Sequence, residues 1–423
     1  MGSARNAGRA FFPLDEELEI PPGSVTPHAQ ECLVRLGAWM PFEKAVGELA
    51  FSLRIKVSEP TVRRYAEGGG RVYVQWQRRE LERLERETPR PPAGAEKMLF
   101  STDGAMVPLV GGEWAEVKTL VIGELEKPVK EGEEWVVHSR EHSYFSRLTE
   151  ADEFCRLSLV ETHRRGIERA GKVAAVSDGA EWEQKMVDFH CPQATRILDF
   201  PHAGERIWPI GQAIWGEESQ PAKTWGQNQL HSLKHTGPVD VLAELNRLQQ
   251  QQPNLELLQK NLAYLEKRVD HMQYPAYSQQ GLPIASGAME SGNKVVVEAR
   301  LKGAGMHWAR PNVDPLLGLR NILCSDRWEE DWKQIASGLR QAQTLQRQAI
   351  HLKHRPVIQP SDLPTAITIP IDPQSASPPP LQPPATPLED PLPKSSVPAP
   401  NHPWRHSPIG KAKFWSADHF AKN

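Results

Sequence analysis

Three acidic residues in this sequence stand where carboxylates could do chemistry. Asp103 and Asp178 each close a short apolar run and are each followed by glycine, and Glu290 lies within residues 286–308, beside a lysine four positions on, Lys294. Taken singly, an Asp-Gly after a strand is a turn, and a Glu/Lys pair one helical turn apart is a solvated ion pair. Taken together, three carboxylates repel one another, so a fold that collects them must neutralise the charge, most simply with hard divalent ions such as Mg²⁺. Two such ions about 4 Å apart clamp the attacking and leaving oxygens of a phosphodiester. The chemistry implied is phosphoryl transfer on nucleic acid.

The elements that must position these groups follow from apolar spacing. Residues 1–29 form an irregular lead-in. Residues 30–53 carry helical spacing split by Pro41, and Ser58-Glu59-Pro60-Thr61 opens a third helix that should stop at Gly68-Gly69-Gly70. Thr61, Arg63 and Arg64 at the start of that helix give residues 30–70 the layout of a helix-turn-helix DNA reader, or of a small helical packing unit with a basic edge. A connecting helix and linker fill 71–94, with Trp76, Leu81 and Leu84 as the apolar side and Pro91-Pro92-Ala93-Gly94 as the boundary.

Beyond it the period changes. Strands are expected at 97–104, 114–124 and 134–138, a helix over 149–170, a strand ending at Asp178-Gly179, and a strand at 195–198 that leads through Asp199 into a helix. This order is an α/β layout, in which ligand groups gather at the carboxyl ends of strands, and Asp103, Asp178 and Asp199 each fall at such an end. Residues 203–285 are helix-like, and Ser286, as N-cap, opens the helix that carries Glu290.

Composition sets the outer limits. The chain has 423 residues, 39% of them hydrophobic, and a formal net charge of -3, so no global basic field argues for nucleic acid and charge must be read locally. No apolar run is long enough for a membrane span. Cys32, Cys155, Cys191 and Cys324 are scattered, with no Cys-x-x-Cys pair, which suits a reducing compartment. His190, Cys191 and His202 lack the spacing of a four-ligand zinc site. Residues 356–423 are rich in Pro, Ser and Ala and cannot bury a core. They read as a disordered or polyproline-like tail, partner-binding or without function.

Asp103-Gly104, Asp178-Gly179, the Asp-x-x-His of Asp199 and His202, and Met-Glu-Ser-x-x-Lys followed by Arg-x-Lys-x-x-Gly-Met-x-Trp, ending at Trp308, carry a family likeness. The sequence resembles bacterial insertion-sequence transposases of the DDE type, related to the Mutator-like group, over residues 10–345. The resemblance implies a ribonuclease-H-like catalytic core formed by 95–202 and 286–355, with an all-α insertion at 203–285. It implies that Asp103, Asp178 and Glu290 are the catalytic, metal-holding triad for Mg²⁺ or Mn²⁺, with two ions bound. Water would hydrolyse a phosphodiester at the element end, and the freed 3′-hydroxyl would attack target DNA. The partners implied are the terminal inverted repeats, target DNA and further copies of the chain in a homodimer or higher oligomer. The location implied is cytoplasmic, at the nucleoid, with no membrane.

Lys294, Arg300 and Lys302 are then candidates for DNA-backbone contacts, or else a solvated helix face. Asp199 is expected to cap the helix begun by Pro201, with His202 packed near the active site. Trp308 is core, or stacks on an unpaired base near the cut. The resemblance also leads one to expect a cysteine-rich segment ahead of Pro13-Leu14-Asp15, which this sequence does not show. That keeps a second reading open, an inactive or truncated remnant that binds DNA without cutting it. A ribonuclease-H-like nuclease acting without transposition is a third.

Overall fold

The computed structural model describes residues 25–132 and 134–353. The lead-in before residue 25 and the Pro-rich segment from 356 lie outside them. A mixed five-stranded sheet organises the fold. Strands β1 (Lys97–Pro108), β2 (Trp114–Leu125) and β5 (Ser139–Arg147) are antiparallel neighbours, and β6 (Lys172–Ser177) and β7 (Thr195–Leu198) run parallel to β1, in the order β5-β2-β1-β6-β7. A small hairpin, β3 (Val129–Glu131) with β4 (Glu134–Val136), stands apart from the sheet. The protein is therefore α/β.

The period of two along the strands decides what each face covers. Met98, Phe100, Leu120, Ile122, Val173 and Ala175 point to one side, where they pack against α4 (Ala151–Leu157), α5 (Leu159–Arg165) and α6 (Glu181–His190). Leu99, Ala174, Val176 and Ile197 point to the other side and share a core with the segment 203–285, which is helical: α7 (Phe200–Trp215), α8 (Gln220–His235), α9 (Pro238–Gln251), α10 (Glu256–Glu266) and α11 (Tyr274–Gln279). On that same side Ala105, Val107, Val117 and Val121 pack under α12. This helix begins as Gly287–Gly292, widens to a π-helix over Asn293–Glu298 and closes as Ala299–Leu301.

At the N-terminal side, Pro41 separates α1 (Pro27–Trp39) from α2 (Phe42–Ser52) as its missing N–H requires. The next helix departs from expectation. α3 (Glu59–Glu87) runs straight through Gly68-Gly69-Gly70 and includes the expected connecting helix. None of the three is a terminator, and Gly69 and Gly70 are close contacts. A Cβ on Gly69 would lie 2.8 Å from a Val34 methyl, and one on Gly70 would overlap the Pro315 carbonyl in α13 (Arg310–Cys324). Leu33, Phe42, Leu49, Val62 and Ala66 belong to the same cluster as Val107, Met289, Leu301, Trp308 and Leu316, so residues 30–70 share a core with the sheet rather than closing one of their own. The last helix, α14 (Trp328–Lys353), leaves this compact unit at Leu339; its remaining turns belong to a second unit. Among the described residues no helix is long and apolar enough to cross a membrane.

Candidate active site

Asp103 lies within β1 rather than at its end, because β1 continues to Pro108 against β2. Its parallel pairing with β6 stops at Ser101 opposite Val176, however, and the sheet opens there. Asp103, Asp178 and Asp199 continue the pleat parity of Leu99, Val176 and Ile197, so the three adjacent parallel strands deliver three carboxylates to one face and one end.

Asp103 accepts hydrogen bonds from the Gly104 N–H at 2.7 Å and from Asn293 Nδ2 at 2.8 Å. Burial pushes its carboxyl up to about 6 against the pull of the Gly104 N–H, and the negative Asp178 adds to the rise. Burial pushes Asp178 up as well, but hydrogen bonds from Glu183 and the Ala180 N–H, with His202 and Arg206 nearby, outweigh it and hold Asp178 low. Glu183 is shifted the opposite way, well above the ordinary carboxyl range. It is buried in the first turn of α6, accepts from the Gly179 and Ala180 N–H groups at 3.1 and 3.2 Å, and is raised by burial and by its bond to Asp178.

The helical insertion holds the Asp178 loop from outside. Tyr264 donates its hydroxyl to the Asp178 carbonyl, and Arg268 donates to the Gly179 carbonyl at 2.6 and 3.2 Å. Arg206 and Arg268 place their guanidiniums 4.4 and 3.8 Å from the Tyr264 ring centroid. Gly179 has φ 82°, and a Cβ there would press within 2.5 Å of Arg268 Nε, so glycine is required on both counts. Sequence reasoning missed Glu183, Tyr264 and Arg268. Only Glu183 left a signal, an acid in the first turn of the helix after Asp178-Gly179.

Asp199 corrects an expectation. It sits at the N-cap of α7, but its carboxylate does not cap that helix; it accepts from the Ser286 N–H at 3.0 Å and the Ser286 hydroxyl at 2.9 Å. His202 lies 3.7 Å from Asp199 and 3.2 Å from Glu205. Burial would lower its pKa, but Glu205, Asp199 and Asp178 together raise it to about 9, which leaves the ring cationic at neutral pH.

Ser286 on Asp199 and Asn293 on Asp103 pin α12 at two points, and Glu290 lies between them, one turn from each. Its side chain is nevertheless 71% exposed and accepts from Lys294 Nζ at 2.6 Å. The structure thus brings Asp103 and Asp178 together and leaves the Glu290 carboxylate outside the pair. Among the described residues no group of three or more His, Cys, Asp or Glu side chains is placed to hold a metal ion. Glu290 lies on the exposed side of α12 and pairs with the lysine one turn away instead.

The remaining candidates divide. Arg300 cannot track DNA, because it is 1% exposed, donates to the Gly37 carbonyl at 3.0 and 3.2 Å and lies 4.5 Å from the Phe42 ring centroid and 5.0 Å from that of Trp308. Trp308, 7% exposed, is core, so it does not stack on a base; its indole N–H donates to the Leu301 carbonyl. Lys302 pairs with Glu298 at 2.7 Å. In the first turns of α3, Thr61 bonds Ser58, Arg63 pairs with Glu59 at 2.7 Å and Arg64 is exposed over Tyr65. His190 is buried between Ser158 and Thr162, away from any zinc set among the described residues.

The raised Asp103 carboxyl predicts a pH effect. A group whose folded pKa is raised stabilises the fold at low pH and loses that stabilisation as pH climbs through about 6. In metal-free buffer, Asp103→Asn should therefore be more stable than the native chain at pH 8, by about 2 kcal/mol, and equal to it near pH 4. Thermal melts at the two pH values measure this, and equal melting temperatures at pH 8 would remove the burial effect. No protein-family model matches the chain, and no curated protein matches it.

Proposed function

We propose that the chain is an insertion-sequence DNA transposase with a ribonuclease-H-like core, in which Asp103, Asp178 and Glu290 hold divalent ions for strand cleavage and strand transfer. The observation that carries this reading is the placing of Asp103, Asp178 and Asp199 at one end of three adjacent parallel strands, with the Glu290 helix tied to two of them. The donor chemistry suits Mg²⁺ or Mn²⁺: hard carboxylate oxygens on two neighbouring, half-buried aspartates, with Asp103 pushed up by burial. Such ions, when bound, activate water and neutralise charge on a phosphate in line for displacement.

The chain's own groups do the rest. Glu183 and the Ala180 N–H orient Asp178, and Asn293 orients Asp103. Glu290 reaches the site by leaving Lys294, a surface ion pair worth under about 1 kcal/mol, and Lys294 is then free for the DNA backbone. Arg63 and Arg64, on the outer face of α3, are positioned for a second stretch of DNA.

One observation favours a second reading. The solvent-facing Glu290–Lys294 pair suits a remnant that binds element ends without cutting them. A strand-transfer assay separates the two, with DNA from the gene's flanks ending in a 3′-hydroxyl, a plasmid target and Mg²⁺ or Mn²⁺. Joined product is the expected result. Retention of the DNA in a gel shift with no joined product in either ion would establish the remnant.

A further inference from the structure

Asn293 is 7% exposed, and its Nδ2 donates to Asp103 at 2.8 Å. Its Oδ1 is buried and finds no hydrogen-bond donor. Leaving an amide oxygen so costs about 1–3 kcal/mol. Turning the amide over would not relieve it, because the oxygen would then face the Asp103 carboxylate, an acceptor with no proton to give when ionised. The amide orientation is fixed by Asp103, and the oxygen beside it is left for a positive group.

The backbone changes at the same residue. The α-helical part of α12 ends at Gly292, and from Asn293 the helix is π, a widening that recurs at functional sites because it re-aims side chains. Gly292 sets the approach of α12 to the sheet, since a Cβ there would come within 2.8 Å of Val121 on β2 and 3.0 Å of Tyr144 on β5. Lys294, the nearest basic side chain in sequence, is turned outward onto Glu290.

We infer that Asn293 belongs to the cation site, its amide nitrogen orienting Asp103 and its amide oxygen serving as a neutral oxygen donor to the divalent ion or to water on that ion. This rests on the metal-dependent reading of the Asp103–Asp178 pair. A neutral donor at this position adds a ligand without adding a fourth like charge to a crowded acidic end.

The test is Mn²⁺ binding to the full, metal-free chain, followed by the electron paramagnetic resonance of the unbound ion, with melting temperatures recorded for each variant. Asn293→Ala should weaken Mn²⁺ binding about tenfold or more. Asn293→Asp keeps an oxygen and loses the N–H donor, so it should bind Mn²⁺ at least as well as the native chain. Native-like binding by Asn293→Ala, or an Asn293→Asp variant as weak as Asn293→Ala, would overturn the inference, the second because only orientation of Asp103 would then matter. If Asn293→Ala does not fold, the Asn293→Asp result decides alone. A native chain that binds no Mn²⁺ overturns both this and the transposase reading. One that binds Mn²⁺ with the expected variant pattern but joins no DNA overturns only the latter.

Discussion

Asparagine in place of Asp103 or Asp178 should lower strand cleavage by about a thousandfold or more while DNA retention in a gel shift stays within about twofold of native. Asparagine preserves shape and removes one negative oxygen, so the loss falls on the charge that must balance a divalent ion. The two positions are not equivalent. Asp178 is ionised readily, held low by Glu183, the Ala180 N–H, His202 and Arg206 in spite of its burial, whereas Asp103 is held up to about 6 by burial. Glu290→Gln should be as inactive as the aspartate variants, because a carboxamide cannot supply the third charge, even though it frees Lys294. Single-turnover cleavage of end-labelled DNA measures all three. Native-like cleavage by any one of them would remove that residue from the site.

Two glycines of the same helix, two positions apart, should respond in opposite directions. Gly68→Ala meets nothing within 4 Å and lies inside α3, so it should stabilise the protein by about 1 kcal/mol through helix propensity. Gly70→Ala gains the same propensity but drives its Cβ into the Pro315 carbonyl, a backbone group that cannot swing aside, and should destabilise by about 3 kcal/mol. Denaturant midpoints of the two variants against native would show it. Stabilisation by both would mean that α3 and α13 do not meet at Gly70.

The same glycines mark where the sequence is legible and where it is not. Gly68-Gly69-Gly70 reads as a helix stop because glycine is the usual C-terminal residue, but none of the three has positive φ. Gly69 packs on Val34, and Gly70 serves a contact with Pro315, 245 positions away, of which local propensity carries no trace. Arg300 fails for the same reason, since a buried arginine on Gly37, Phe42 and Trp308 looks like any surface cation in one dimension. β5 escaped because both of its faces are buried over residues 143–147 and include Ser143, Ser146 and Arg147, which hide its period, and the expected third strand at 134–138 corresponds instead to the hairpin strand β4. β6, by contrast, is a nearly unbroken apolar run that leads into Asp178, the usual mark of a buried parallel strand, and the short β7 leads through Ile197 and Leu198 into Asp199. Asp178 was therefore readable from a strand end, whereas Asp103 lies inside β1 and was not at one. The Glu290–Lys294 pair was legible too, since an acid and a lysine four positions apart on a helix read as a solvated ion pair, and that is how the two side chains lie.

The central claim is that ions held by these carboxylates act on a DNA phosphate, and sulfur substitution at the cleaved phosphate tests it most directly. DNA from the gene's flanks is cut first to locate the bond, and one non-bridging oxygen there is then replaced by sulfur. The softer Mn²⁺ tolerates a sulfur ligand better than Mg²⁺. Native chain should cut the sulfur-bearing strand poorly in Mg²⁺ and recover by about tenfold or more in Mn²⁺, with no recovery in Asp178→Asn. Equal cutting in Mg²⁺, Mn²⁺ and chelator, or no cutting of the unmodified DNA in either ion, would contradict the account.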